Sequence, residues 1–159
     1  METTVSFKEV VFDGAKEVFE SMVFLPLEPS DSTEPTPEEA TLLATITFTG
    51  TLQGHLSVSC SRLAARAIAA GMLCMESADE LADEDVVDAM GEIANLVMGS
   101  VKTRVQGEVA ALDLSIPSVV EGREIKSRPG EGAVRVAVPV MIGSDHPAEF
   151  SLLYRQGNA

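Results

Sequence analysis

Apolar and polar positions change rhythm several times along this chain, and each change marks an element. Residues 7–25, FKEVVFDGAKEVFESMVFL, carry apolar side chains at helical spacing, with Val11, Ala15, Val18 and Met22 on one face. Pro26 and Pro29 close that helix, and residues 26–39, with four prolines and five acids, read as a surface loop. From residue 40 to 60 the period becomes two. Ala44, Ile46 and Phe48 alternate with threonines, and Leu56, Val58 and Cys60 alternate with His55, Ser57 and Ser59. This predicts a hairpin with one apolar and one hydroxyl-rich face, its connection carrying Gly50 and Gly54.

A short alanine-rich helix follows, with Ser61 as its N-cap and Gly71 near its C-terminal end. Residues 85–105 predict the longest helix, on the order of 30 Å at 1.5 Å per residue. Acids crowd its start (Asp83, Glu84, Asp85), and Lys102 and Arg104 stand in its last turns, as the helix dipole favours. LDLSIPSVVEG, residues 112–122, reads as a strand, and residues 121–132 as a loop or strand end. Residues 132–155 predict a second hairpin turning through GSDHP, with Pro139 implying an edge position or a bulge.

The two main helices match at an offset of 75. Asp13 falls on Asp88, Glu17 on Glu92 and Glu20 on Asn95, while Val11, Ala15, Val18 and Met22 fall on Val86, Met90, Ile93 and Val97. The expected architecture is therefore one α+β domain over residues 1–159. Duplicated helix–hairpin units, about 5–75 and 80–156, would set long helices on a mainly antiparallel sheet.

Composition narrows the function. At 159 residues and 45% hydrophobic content, one domain removes roughly 70% of its unfolded surface from water. A net charge of −14 argues against nucleic acid and anionic membranes as partners. The N-terminus lacks a basic region followed by an apolar run, and no apolar stretch is long enough to span a bilayer, so the expected location is the cytoplasm. Cys60 and Cys74, with no CxxC spacing, read as two small buried hydrophobes in a reducing compartment. His55 and His146 lack ligand spacing, no Glu-x-x-His appears on the helices, and P-loop and G-x-S-x-G motifs are absent. Neither a metal nor a cofactor of the chain's own is expected.

One feature of the long helix resists a purely structural explanation. Asp88, Glu92, Asn95 and Gly99 fall within about 60° of one another, opposite Val86, Met90, Ile93, Val97 and Val101. A solvated face accounts for the acids. It does not account for Asn95, a mediocre helix former, nor for Gly91 and Gly99, each costing about 0.5–1 kcal/mol relative to Ala. Glycines flanking an exposed acid and amide suggest a surface that something must approach closely. A carboxylate and a carboxamide at i, i+3 project together; the first can pair with a lysine, the second can hold a water in one orientation. The residues alone leave both readings open.

The line Asp88, Glu92, Asn95, Gly99 in DAMGEIANLVMGSVK resembles the D-x3-E-x2-N-x3-G helix of the CheC/CheX/FliY chemotaxis phosphatases, CheX most closely, and the likeness extends over nearly the whole chain. The resemblance implies a phosphatase that hydrolyses the aspartyl phosphate of a CheY-like receiver domain. In that picture Asn95 orients the attacking water, Glu92 contacts the receiver's active-site lysine, and Asp88 and Gly99 face the partner. The receiver supplies Mg²⁺ and the phosphorylated aspartate. It implies a homodimer with one working helix per chain. In the first helix Glu20 stands at the Asn position and Phe24 at the Gly position, and a carboxylate there can neither donate as an amide does nor tolerate the phosphoryl anion. The alternative is a non-catalytic flagellar-switch or adaptor-like module that binds a phosphorylated receiver.

Overall fold

The computed structural model describes residues 6–30, 41–75, 80–107, 109, 112–122, 132–143 and 145–157. Most of the loops expected at residues 26–39 and 121–132, and Ser144 in the second hairpin turn, lie outside the described residues. Helix α1 (Phe7–Val18) is followed by β1 (Leu27–Pro29) and the hairpin β2 (Thr41–Thr49) and β3 (Leu52–Ser61). Then come α2 (Arg62–Met72), α3 (Asp83–Val105), β4 (Asp113–Leu114), β5 (Ser118–Gly122) and the hairpin β6 (Val134–Ile142) and β7 (His146–Gln156). The strands form one sheet in the order β1-β6-β7-β3-β2-β4, with β5 also on β2, and every pairing is antiparallel.

The two hairpins meet at β3 and β7, where Leu56 faces Leu152, Val58 faces Phe150 and Cys60 faces Ala148. These side chains, with Ala44, Ile46 and Phe48 of β2 and Val138, Val140 and Ile142 of β6, make the apolar face and are all buried. The helices cover that face and share one core with it. Phe19 meets Phe150 edge-on at 6.2 Å between ring centres. The other face carries the hydroxyls; Ser57 and Ser151 face each other there, and Ser57 lies 3.3 Å from Thr45 Oγ1. Alternation in the sequence is thus realised as one apolar and one polar face.

Several expectations are corrected. The first helix does not continue evenly to Leu25. Its last turn, Phe19–Val23, is a π-helical turn closed by the Phe24 N–H donating to Phe19 O at 2.7 Å. A wider turn rotates less per residue, so the phase slips. Phe19 and Val23 become buried, and Met22, expected on the apolar face, is 44% exposed. Leu27–Pro29, read as loop, pairs with β6. The strand at 112–122 is split into β4 and β5, which pair separately with β2. Gly54 is not in the hairpin connection but inside β3, where a Cβ would stand 1.8 Å from Leu153 O. Gly71 lies within α2, and its missing Cβ makes room for Val23 O, which such an atom would approach to 2.1 Å. Cys60 is buried, which pushes its thiol up to about 12, but Cys74 is exposed.

Pro139 sits in a strand with neighbours on both sides, which its missing N–H would seem to forbid. Its carbonyl accepts from Ser30 N–H at 3.1 Å on the β1 side, and a residue's N and O point to the same side of a strand. β1 has ended there, so the absent donor breaks no ladder bond.

α3 is fixed along its length. The Ala82 N–H donates to Asp85 Oδ2 at its start, and Arg62 of α2 bridges Asp83 at 2.6 Å and Glu121 of β5 at 3.1 Å. The hydrogen bond from Arg62 holds the Asp83 carboxyl below the usual carboxylate range. Val86, Met90, Ile93, Val97 and Val101 are 0–3% exposed, as the spacing predicts. Gly91 does not face a visitor; it is buried against Pro117 and Val119, which a Cβ would meet at 3.6 and 3.7 Å.

Those are ordinary contact distances, so Gly91→Ala gains helix propensity without a clash and raises stability by about 0.5–1 kcal/mol, read by denaturant unfolding. A second expectation concerns His55, whose Nε2 is sealed from solvent and has no hydrogen-bond partner among the described residues. Burial lowers its pKa from 6.5. The unfolded chain takes up a proton that the folded chain resists, so stability falls as pH drops below about 6.5 toward the folded pKa. His55→Gln reduces that dependence, measured by thermal unfolding across the window.

Candidate functional site

The stripe is built by one helix. Because α3 buries residues 86, 90, 93, 97 and 101 on the core side, positions 88, 92, 95 and 99 must look outward. Asp88 and Glu92 are exposed, and Asn95 and Gly99 are half-buried. A Cβ at Gly99 would meet nothing within 4 Å, so the surface beyond Asn95 is open. Among the described residues no hydrogen bond or ion pair holds the side chain of Asp88, Glu92 or Asn95. All four expected positions therefore share one accessible line. Of the two glycines read as flanking it, only Gly99 belongs to it.

The chemistry available is limited and specific. Glu92 offers a carboxylate one turn from a carboxamide that both donates and accepts. Neither is engaged inside the chain, so each can meet a group on another molecule without first breaking an internal bond. The backbone beneath them is held by a packed helix face, so their spacing is set before any partner arrives.

The corresponding line on the first helix is different. Asp13 and Glu17 are exposed on α1, but Glu20 and Phe24 follow the π-helical turn. Glu17 and Glu20 thus do not repeat the angular relation of Glu92 and Asn95. Glu17 is also engaged: Arg104 Nη2 of α3 donates to its Oε2 at 2.6 Å, while Arg104 Nε donates to Ser100 Oγ at 3.3 Å. Arg104 is read in the sequence as a helix-dipole cation; no local signal announces a partner 87 positions away. Where the two helices cross, Gly14 packs on Ser100, whose Oγ a Cβ would meet at 3.2 Å.

Nothing else among the described residues rivals the stripe. No group of three or more His, Cys, Asp or Glu is placed to hold a metal ion among them, and no described helix is long and apolar enough to cross a membrane. A shallow depression on the hydroxyl-bearing face of the sheet, of about 420 Å³, is lined by Thr47, His55, Leu153 and Arg155 among others. It lies on the opposite side of the sheet from the helices.

Comparison with known proteins agrees with this geometry. Residues 42–141 match the family model of the chemotaxis phosphatase CheX. The CheY-P phosphatase CheX of Thermotoga maritima is 26% identical over 116 residues, 73% of each chain. The crystal structure of CheX from Vibrio vulnificus superposes with a TM-score of 0.76 at 22% identity, covering 98% of this chain and all of that one. CheX of Borrelia burgdorferi, solved as a complex with CheY, BeF3 and Mg²⁺, gives 0.76 at 18% identity over 96% of this chain and 99% of that one. The chain belongs to the chemotaxis phosphatase CheX family.

Proposed function

We propose that this protein accelerates hydrolysis of the aspartyl phosphate on a CheY-like receiver domain in the cytoplasm. The observation that carries this reading is the unengaged Glu92–Asn95 pair on the outward face of a helix whose other face is sealed in the core. Asn95 enters the receiver's phosphorylated pocket, and its carboxamide holds a water in line with the phosphorus–oxygen bond to be broken. Glu92 pairs with the receiver's active-site lysine and sets the depth and direction of entry. Asp88 and Gly99 lie along the same contact, Gly99 leaving room for the partner's approach. The receiver brings the Mg²⁺ that balances the phosphoryl charge; this chain supplies no metal ligand of its own.

The names of the relatives support the same substrate class. The Thermotoga maritima relative is a CheY-P phosphatase, and the Borrelia burgdorferi structure holds CheX with CheY, BeF3 and Mg²⁺. The chain acts as a homodimer with one working helix per protomer, since the first helix has Glu20 in place of the amide and Glu17 tied to Arg104.

Decay of a phosphorylated CheY-like receiver, followed with and without the protein, tests the mechanism. Asn95→Ala reduces the acceleration by about 100-fold or more and leaves thermal unfolding unchanged. Glu92→Ala raises KM by about tenfold and lowers the rate. Chelating Mg²⁺ stops the accelerated decay. An Asn95→Ala variant as active as the wild type ends this assignment, and phosphorylation-dependent binding without faster decay selects the adaptor reading instead. Sedimentation equilibrium gives twice the 16.8 kDa chain mass for the dimer, and the single-chain mass overturns it.

A further inference from the structure

The surface next to Asn95 is completed by the edge of the sheet. Arg62 ties β5 to the first turn of α3 through Glu121 and Asp83. Val119 and Pro117 flank Gly91, two turns further along the helix. Rising numbers on α3 meet falling numbers on the strand, so the two run in opposite senses. The step from Val119 through Pro117 to Ile116 therefore leads from Gly91 toward the turn that carries Asn95.

Ile116 is 89% exposed, more than any other large hydrophobic side chain among the described residues. It does not sit on a loose tip. On one side the Ser115 N–H donates to Thr47 O at 2.9 Å, and Ser115 Oγ accepts from Thr47 N–H at 3.0 Å. On the other side Pro117, with its fixed φ, packs on Gly91. Val87, one turn before Gly91, adds further exposed apolar surface. An apolar rim thus borders the polar line of Asp88, Glu92 and Asn95. A few side chains on one helix cover far less than the roughly 800 Å² per partner of a stable interface, and such interfaces depend on a few apolar anchors.

We propose that Ile116, flanked by Pro117 and Val87, is the apolar anchor by which this protein docks the receiver domain, seating on apolar surface that borders the receiver's phosphorylated pocket. The proposal rests on the phosphatase reading above and adds a second contact to it. Glu92 and Asn95 act on the phosphorylated site, and Ile116 contributes affinity alone, because burying it removes from water a side chain that the folded chain leaves wet.

Hydrolysis of a CheY-like receiver domain phosphorylated with acetyl phosphate, measured over a range of receiver concentrations, separates the two ideas. Ile116→Ser raises KM about tenfold, with kcat unchanged and thermal unfolding as in the wild type. Ile116→Val, which keeps most of the apolar surface, stays within about threefold of the wild-type KM. An Ile116→Ser variant with the wild-type KM, or with lowered kcat at saturation, overturns the anchor while the phosphatase reading stands. A wild-type protein that fails to accelerate hydrolysis overturns both.

Discussion

Five side chains on the inner face of α3, Val86, Met90, Ile93, Val97 and Val101, fix the rotation of that helix about its own axis. Each is removed almost wholly from water, and each such burial is worth about 1.5–3 kcal/mol. A turn of the helix by even a third of a revolution would expose several at once and drive Asp88 and Glu92 into the core, where unpaired carboxylates are costly. The outward aim of Asn95 is therefore not a property of Asn95. It is inherited from the packing beneath, reinforced by Arg62, which joins the start of α3 to α2 and β5. A side chain meant to orient one water needs such a foundation, because a loss of aim costs rate even when the group is present.

How much of this the sequence reveals depends on the range of the interaction. The α3 stripe is legible because it is local: four residues at i, i+4, i+7 and i+11 share a face whatever the rest of the chain does. The hairpins are legible because alternation fixes which residues face the core, and Ser61 is legible as a cap because its hydroxyl accepts from the Ala64 N–H three residues on. Gly54, Gly71 and Gly91 are not. Their roles are set by Leu153, Val23 and Pro117, which are distant in sequence, so a reading by turn or surface chemistry assigns them wrongly. β1 escapes notice because three residues are too few to show a period, and only pairing with β6 makes them a strand.

The functional surface divides along the same line. Glu92 and Asn95 can be named from one helix. The engagement of Glu17 by Arg104 and the placement of Ile116 beside Gly91 cannot, since both join residues from separate elements. Pro117 in the sequence suggests only an interrupted strand. In the fold it is the wedge that sets the sheet edge against α3.

The π-helical turn at Phe19–Val23 makes the difference between the two main helices more than a matter of residue identity. Writing an amide at position 20 would restore the letter of the motif but not its bearing, because the wider turn beneath it points elsewhere and Gly71 leaves Val23 room to stay there. Reviving the first helix would require re-laying its last turn against α2. The asymmetry is therefore locked by architecture, and a lineage that acquired it could not retrace its course by a single edit.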